Sequence, residues 1–467
     1  MIKKEYWFFI CLCFTLLTEK SLAENDDATK GILSSLVKFK DESRPLIREQ
    51  SWHLTTHAIQ KILRAEVNQK IKVARFPSSV ISLNALNSHK SKHIEITLSR
   101  YELMAPGAKI WVVSDQGKQA ISTIDLMAFS SIEHGVGILV NRQTADVTGL
   151  INKAGVTLDI SGNLQTGLDF RNLNADKEKF ATSQQCHTSI QDQPGDPLAD
   201  VKKALGSHSL ELKIGSTDYE TVVAVDTDNE WMAGKGNNTT TAMNYIAGLF
   251  VGMNVFYERD IALRLLIGDV FLRTSNDPYP SESNIINYLT DFGEYWRVNN
   301  SAVNRDFAIM LSGQSIPANS YSGIAWLNQY CETGFLINGG AETAGSYNVN
   351  RIGSNLSVGF TSQFVAHELG HNLGSPHTHC YSPEVDTCFN GEAGCYSGST
   401  VSCPTGGKGT IMSYCHFNTA SGGPNCGLND EEFHPTVIGL MESQVLANFP
   451  SCIQALGSEV IFANGFE

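Results

Sequence analysis

Three histidines within one short segment have the spacing of metal ligands. His367 and His371 are four residues apart, so on a helix they lie on one face, where two imidazoles can bind one zinc ion. Gly374 tolerates a positive φ and lets the backbone leave the helix sharply, which brings His377 in as a third ligand. Three protein ligands leave a fourth position open, as in catalytic rather than structural zinc sites.

Glu368 follows the first of these histidines and completes the pattern H-E-x-x-H-x-x-G-x-x-H. A water at the zinc would have its pKa lowered toward ~7, and Glu368 is placed to take its proton as a general base. The alternative is a surface helix that carries three histidines by coincidence, a match with a chance on the order of 10⁻⁴ in such a composition. The sequence therefore predicts a zinc centre that activates water.

The extended motif resembles that of the metzincin metallopeptidases, which also carry a Met-turn downstream. A lone methionine is more often core filler, but Met412 lies in a stretch rich in Gly, Ser and Cys, 35 residues after His377. Within the metzincins the chain resembles the adamalysin (reprolysin) family, in a secreted bacterial-type form with a propeptide. The resembling segments are residues 257–264, residues 323–326 with Cys331, and residues 378–381.

The resemblance implies an α/β (α+β) catalytic domain with a zinc cleft between two subdomains, preceded by a β-rich propeptide domain. It implies a zinc-dependent endopeptidase that cleaves protein or peptide substrates, made as a latent zymogen with its own propeptide as chaperone and inhibitor. The expected segments are a signal peptide at 1–23, a propeptide at 24–190, a linker with the processing region at 191–207, the catalytic domain at 208–455 and a tail at 456–467. The competing class is a non-catalytic, zinc-stabilised binding protein on the same scaffold, against which the presence of Glu368 argues.

Two residues depart from the family pattern. Adamalysins usually have Asp directly after the third zinc histidine, where this chain has Thr378. Many have a proline after the Met-turn where this chain has Tyr414, and other metzincins have a tyrosine there that can approach the zinc. Tyr414 is therefore either a fifth ligand or oxyanion donor, or simply a packed side chain.

Cysteine parity points to an exported protein with one cysteine left over. Two of the eleven cysteines lie in the signal sequence, and eight form an even set that predicts four disulfides: Cys331, Cys380, Cys388, Cys395, Cys403, Cys415, Cys426 and Cys452. The resemblance favours a bridge between Cys331 and Cys452, with the other six in local loops. Cys186 remains, and we hypothesise a cysteine switch in which its thiolate occupies the open zinc position, although the flanking residues do not match the usual motif. The alternative is an unpaired thiol without a role.

The remaining features concern compartment and partners. Residues 1–23 have Lys3 and Lys4 near the start, then a short apolar run and a small-residue end, which is typical of a secretory signal peptide. No later stretch predicts a transmembrane helix. A formal charge of −14 argues against nucleic acid or an anionic membrane as a partner. We expect a secreted monomer. Calcium could support the domain, as in some relatives, but its ligands cannot be placed.

Apolar periodicity and capping residues predict the elements around the site. We expect an amphipathic helix over residues 238–256, strands over 261–272, 308–311 and 324–327, and a last helix over 436–447. Thr361 or Ser362 is expected to cap the zinc helix. His379 and His416 are expected at the surface.

Overall fold

The computed structural model describes residues 32–34, 49–77, 93–153, 155–173, 186–188, 217–275, 277–280, 282–316, 322–352, 357–405, 407–416, 426 and 429–457. The expected signal peptide, the linker region at 191–207 and the end of the tail lie outside these residues.

The described residues of the N-terminal unit form an antiparallel sheet and a short helix, α1 (Thr56–Leu63). Its strands are β1 (Ile32–Ser34), β2 (Glu49–Trp52), β3 (Lys70–Pro77), β4 (His93–Tyr101), β7 (Leu126–Ser131), β8 (Val136–Asn141), β9 (Asp146–Lys153), β10 (Val156–Asn163) and β11 (Gly167–Asn172). They are ordered β1-β2-β11-β10-β9-β8-β7-β4-β3. One face of this sheet forms its own hydrophobic core, around Phe129 and Phe170, against α1.

A second, mostly parallel sheet forms the centre of the catalytic unit. Its strands are β13 (Tyr219–Thr227), β14 (Leu263–Arg273), β15 (Phe307–Ser312), β16 (Gly323–Ala325) and β19 (Tyr347–Arg351), in the order β16-β19-β15-β13-β14. The strand β13 is a valine-rich run buried at almost every position, which is typical of parallel strands covered on both faces. β16 runs antiparallel to β19 and is the last of these five strands on its side of the sheet.

Strands from the N-terminal part of the chain extend this sheet at both ends. At one end β5 (Ile110–Ser114) pairs with β14, and β6 (Gly117–Ile121) pairs with β5. At the other end β12 (Cys186–Thr188) pairs with β16. A hairpin of β17 (Phe335–Ile337) and β18 (Glu342–Ala344) and the short β20 (Gln454–Ala455) complete the described strands.

Helices cover both faces of the catalytic sheet: α2 (Asn229–Gly234), α3 (Thr239–Ile261), α4 (Ile285–Asn299), α5 (Val358–Asn372) and α6 (Pro435–Ala447). The expected fold class, a mixed α/β unit preceded by a β-rich region, is confirmed. Among the described helices, none combines the length and the apolar character needed to cross a membrane.

The zinc helix α5 begins earlier than the sequence suggested, so the expected cap at Thr361 or Ser362 is wrong. Ser357 is the cap, and its side chain accepts a hydrogen bond from the Phe360 amide. The hydroxyls of Thr361 and Ser362 lie inside the helix and donate to carbonyls of the preceding turn. Ser357, Thr361 and Ser362 could each cap a helix locally. The first turn that follows Ser357 packs against the N-terminal sheet through the Gly359 amide and Asp159, which favours Ser357 as the cap.

Candidate metal centre

The three histidines of the motif converge on one buried point. His367 and His371 project from one face of α5, and their Nε2 atoms are 3.1 Å apart. After the helix, Gly374 adopts a φ of +105° and turns the chain so that His377 faces the same point. One ligand atom from each ring lies within 4.8 Å of the others.

Backbone carbonyls orient the two helical imidazoles. The Nδ1 atom of His367 lies 2.6 Å from the Ile411 carbonyl oxygen, and that of His371 lies 2.7 Å from the Ser375 carbonyl oxygen. A carbonyl oxygen only accepts, so each Nδ1 carries the proton and each Nε2 presents a lone pair to the centre. Burial, with nearby imidazoles, lowers the pKa of His367 to about 3 and that of His371 well below its usual value, so both rings are neutral at pH 7.

These donors fit a zinc ion. Two lone pairs facing each other at 3.1 Å repel unless a cation lies between them, and tetrahedral Zn–N bonds of ~2.0–2.1 Å would separate the nitrogens by roughly 3.3 Å. The Nε2 atom of His377 is buried and has no hydrogen-bond partner among the described residues. Three buried imidazoles that converge on one point are a donor set that zinc prefers.

Glu392 holds the third histidine, and sequence reasoning missed this residue. Its Oε2 atom lies 2.7 Å from His377 Nδ1 and 2.9 Å from His379 Nε2. Burial alone would raise the pKa of Glu392, but the two imidazoles, His377 foremost, lower it well below its usual range, so the group is a carboxylate. A carboxylate on the distal nitrogen of a ligating histidine orients the ring and strengthens it as a ligand. His379 is fully buried in this arrangement, so its expected surface position is wrong.

A disulfide closes the loop that carries Glu392. Cys380 is bonded to Cys395, and the Tyr396 amide donates to the His379 carbonyl oxygen at 2.9 Å. The sequence signal for Glu392 is its position between Cys380 and Cys395, because a bridge between these cysteines closes a loop directly after the zinc motif. Their pairing, however, is not readable from spacing.

Glu368 is fully buried and lies against the edge strand of the catalytic sheet. A β-carbon built at Gly323, the first residue of β16, would overlap the Glu368 Oε1 atom. The absence of a side chain at position 323 therefore lets the edge strand reach the carboxylate.

Met412, the expected Met-turn residue, packs against the zinc helix. It is fully buried, and a β-carbon at Gly370 of the zinc helix would lie 2.8 Å from its sulfur. Thr378, which stands where the family has Asp, ties the zinc loop to this turn: its amide and hydroxyl both donate to the Met412 carbonyl oxygen, at 3.1 and 3.3 Å. A carboxylate still reaches the turn, because the Ser413 hydroxyl donates to Asp386 at 2.7 Å.

Tyr414 lies among the ligands rather than at the surface. Its ring is buried, with its centroid 4.2 Å from that of His377 and 6.3 Å from that of His367. Its place fits both alternatives raised from the sequence, a group that takes part in the chemistry and a tyrosine that packs on a ligand.

The described cysteines of the catalytic unit form four disulfides. Cys331 is bonded to Cys452, the pairing that the family resemblance implies. The other three bridges are local: Cys380–Cys395, Cys388–Cys415 and Cys403–Cys426. Cys186, the cysteine left over, belongs to β12, where its backbone lies directly opposite Gly323.

Comparison with known proteins gives the class of this centre. Residues 217–421 match the family model Reprolysin_5, described as metallo-peptidase family M12. The chain therefore carries a reprolysin-type metallopeptidase domain, and the resemblance inferred from the sequence is confirmed.

One solved structure and the curated proteins complete the comparison. Metalloproteinase-II from Bacteroides fragilis is 10% identical, with a TM-score of 0.37, over 83% of this chain and 94% of that chain. Nothing is carried over from it at this distance. No curated protein matches the chain significantly.

Proposed function

We propose that the chain is a secreted zinc endopeptidase, made as a latent zymogen, in which Glu368 is the general base. The observation that carries the proposal is the convergence of three buried imidazoles beside a buried carboxylate at the edge of the catalytic sheet. A structural zinc site needs no such base, and it would have its fourth position filled by a protein ligand.

Each group at the site has a separate role in the proposed hydrolysis. His367, His371 and His377 would hold the zinc, which when bound supplies Lewis acidity toward a water and the scissile carbonyl. Glu368 accepts the proton of the attacking water and returns it to the leaving amine. The edge strand β16 would hold an extended substrate by backbone hydrogen bonds, a mode that leaves specificity to pockets for alternate side chains.

The position of β12 supports latency. This strand pairs with β16 over Gly323–Ala325 and so covers the edge that a substrate would need. Neighbouring strands are about 4.7–4.9 Å apart, so the Cys186 backbone lies one strand spacing from the glycine that touches Glu368. This backbone position beside the first residue of β16 supports the proposed cysteine switch.

We expect the Cys186→Ala precursor to hydrolyse an unfolded protein substrate, whereas the wild-type precursor does not. Without the thiolate the fourth zinc position opens, while the described residues of β12 pair with the edge over three positions. Initial rates of both precursors, with gel analysis to exclude self-processing, measure the effect. Thr188→Ala in the same strand is the matched control, and a Cys186→Ala precursor no more active than wild type would refute the switch.

We expect Tyr414→Phe to lower kcat by about 10²–10³-fold, the usual cost of losing one oxyanion donor. The ring lies against His377, so the side chain is beside one of the proposed zinc ligands. The measurement is kcat and KM at equal zinc content, since a donor that acts in the transition state changes kcat more than KM. An unchanged kcat would assign Tyr414 to packing.

The decisive test of the proposed function is hydrolysis of a generic unfolded protein by the processed chain, compared with Glu368→Gln, with the zinc content of both determined. Cleavage by the wild type alone, at about one zinc per chain in each, is the expected result.

A further inference from the structure

The helix α3 is buried on every side over most of its length. Each residue from Ile246 to Glu258 is buried, a run of more than three helical turns. A helix on the outside of a domain shows a polar face, whereas one buried all round must be covered on all sides. The elements that pack against α3 therefore keep its apolar side chains from water.

Two sheets cover α3 from different sides. One is the catalytic sheet, where the Asn254 side chain accepts from the Leu265 amide at 2.8 Å and donates to the Leu265 carbonyl oxygen at 3.1 Å. The other is the N-terminal sheet, whose strands β7, β8 and β9 lie against the helix. Leu139 and Leu150 of that sheet share one hydrophobic core with Leu249 of α3.

Glycines allow this second sheet to touch the helix closely. A β-carbon at Gly137 in β8 would lie 2.8 Å from the Val251 carbonyl oxygen and 2.8 Å from Val255 Cγ2. A β-carbon at Gly248 of α3 would lie 2.9 Å from Thr148 Cγ2 of β9. Because glycines on both the strand and the helix allow such a close approach, the sheet and α3 pack together as tightly as a protein interior.

Buried polar groups also join the two units. Asp159 of β10 is buried and accepts from the Gly359 amide, in the first turn of the zinc helix, at 2.9 Å. Asn152 of β9 accepts from Arg259 at the end of α3. Separation of the units would leave the first turn of the zinc helix without this acceptor.

The far edge of the catalytic sheet is closed in the same way. The amide of Ala105 donates to the Ile267 carbonyl oxygen, and the amide of Ile267 donates to the Leu103 carbonyl oxygen, each at 2.8 Å. Beyond them β5 pairs with β14, and the Trp111 indole donates to Asp269 at 2.8 Å. Removal of this hairpin would expose β14 as a long apolar edge, which soluble proteins avoid.

We propose that the N-terminal sheet stays bound to the catalytic unit as a non-covalent subunit of the active peptidase, and that activation removes only β12 from the cleft edge. The difference in contacts carries this inference, because the sheet shares a core with the catalytic unit whereas the described part of β12 pairs with it over three residues. The inference rests on the proposed zymogen. It changes which part of the chain is lost on activation, because a propeptide at 24–190 would otherwise be removed as a whole.

The test uses the full chain with recognition sequences for a site-specific protease at residues 178–183 and 196–201, one on each side of β12. The background is Glu368→Gln, so the outcome depends on binding and not on peptidase activity. After both cuts, the two large fragments are expected to elute as one peak from gel filtration at micromolar and nanomolar concentrations. An N-terminal fragment that elutes alone, or stays in solution while the catalytic fragment precipitates, would overturn the proposal.

A pair of variants tests the interface itself. Gly137→Val forces a side chain into the backbone of α3 and should release the N-terminal fragment after cutting. Gln119→Val adds the same side chain at an exposed position of β6 and should leave the single peak unchanged. The same two cuts in the wild-type background then test the proposed function separately, because a stable complex without hydrolysis counts against the peptidase and not against the subunit.

Discussion

Glu368→Gln is expected to lower kcat for peptide hydrolysis by about 10²–10⁴-fold, the usual contribution of a general base. Glutamine keeps the shape of the side chain in its buried place beside Gly323, but it cannot take a proton. The three histidines are untouched, so zinc content should stay at about one per chain. Hydrolysis of an unfolded protein and zinc analysis of the same samples measure both quantities.

Three other outcomes have distinct meanings. If the variant cleaves as fast as the wild type, Glu368 is not the base. If both proteins hold zinc and neither cleaves any of several unfolded substrates, the non-catalytic binding protein becomes the better interpretation. If neither holds zinc, the inference from His367, His371 and His377 is wrong.

Glu392→Gln is expected to weaken zinc binding by about 10–100-fold, the range found when a partner of a ligating histidine is removed. The amide oxygen of glutamine can still accept from His377 Nδ1, but the negative charge that strengthens the imidazole as a ligand is lost. The zinc dissociation constant, measured by competition with a chelating dye, reports this effect without any activity assay.

Two comparisons separate positioning from general destabilisation. Glu384→Gln changes an exposed carboxylate near the start of the same loop and should leave zinc affinity unchanged. Activity of Glu392→Gln should recover at saturating zinc, because Glu392 acts through His377 and not on the substrate. A zinc dissociation constant equal to that of the wild type would contradict the role assigned to Glu392.

The zinc motif could be predicted because its geometry is local. Two histidines four residues apart share a helix face whatever surrounds the helix, and a glycine after it permits the turn that presents the third. The main elements were predictable for the same reason: the helix expected at 238–256 and the strand expected at 261–272 are observed at Thr239–Ile261 and Leu263–Arg273. Their apolar patterns reflect burial that each segment needs wherever it packs.

Other features of the site depend on residues far apart in the chain, and no local pattern contains them. Glu392 reaches His377 only because the bridge between Cys380 and Cys395 folds the loop back, and eight cysteines allow 105 pairings. Ser357 became the helix cap, where neighbouring hydroxyls would have served as well, because the first turn packs against Asp159 of the N-terminal sheet.

By itself, then, the sequence determined the class of fold and predicted the metal ligands and the base, since these follow from spacing along single elements. Only the tertiary structure decided that the N-terminal sheet shares a core with α3, because the long buried run of that helix is equally compatible with any apolar partner. The spacing of residues along one helix or strand predicts which side chains can act together. Which elements pack against each other depends on the whole folded molecule.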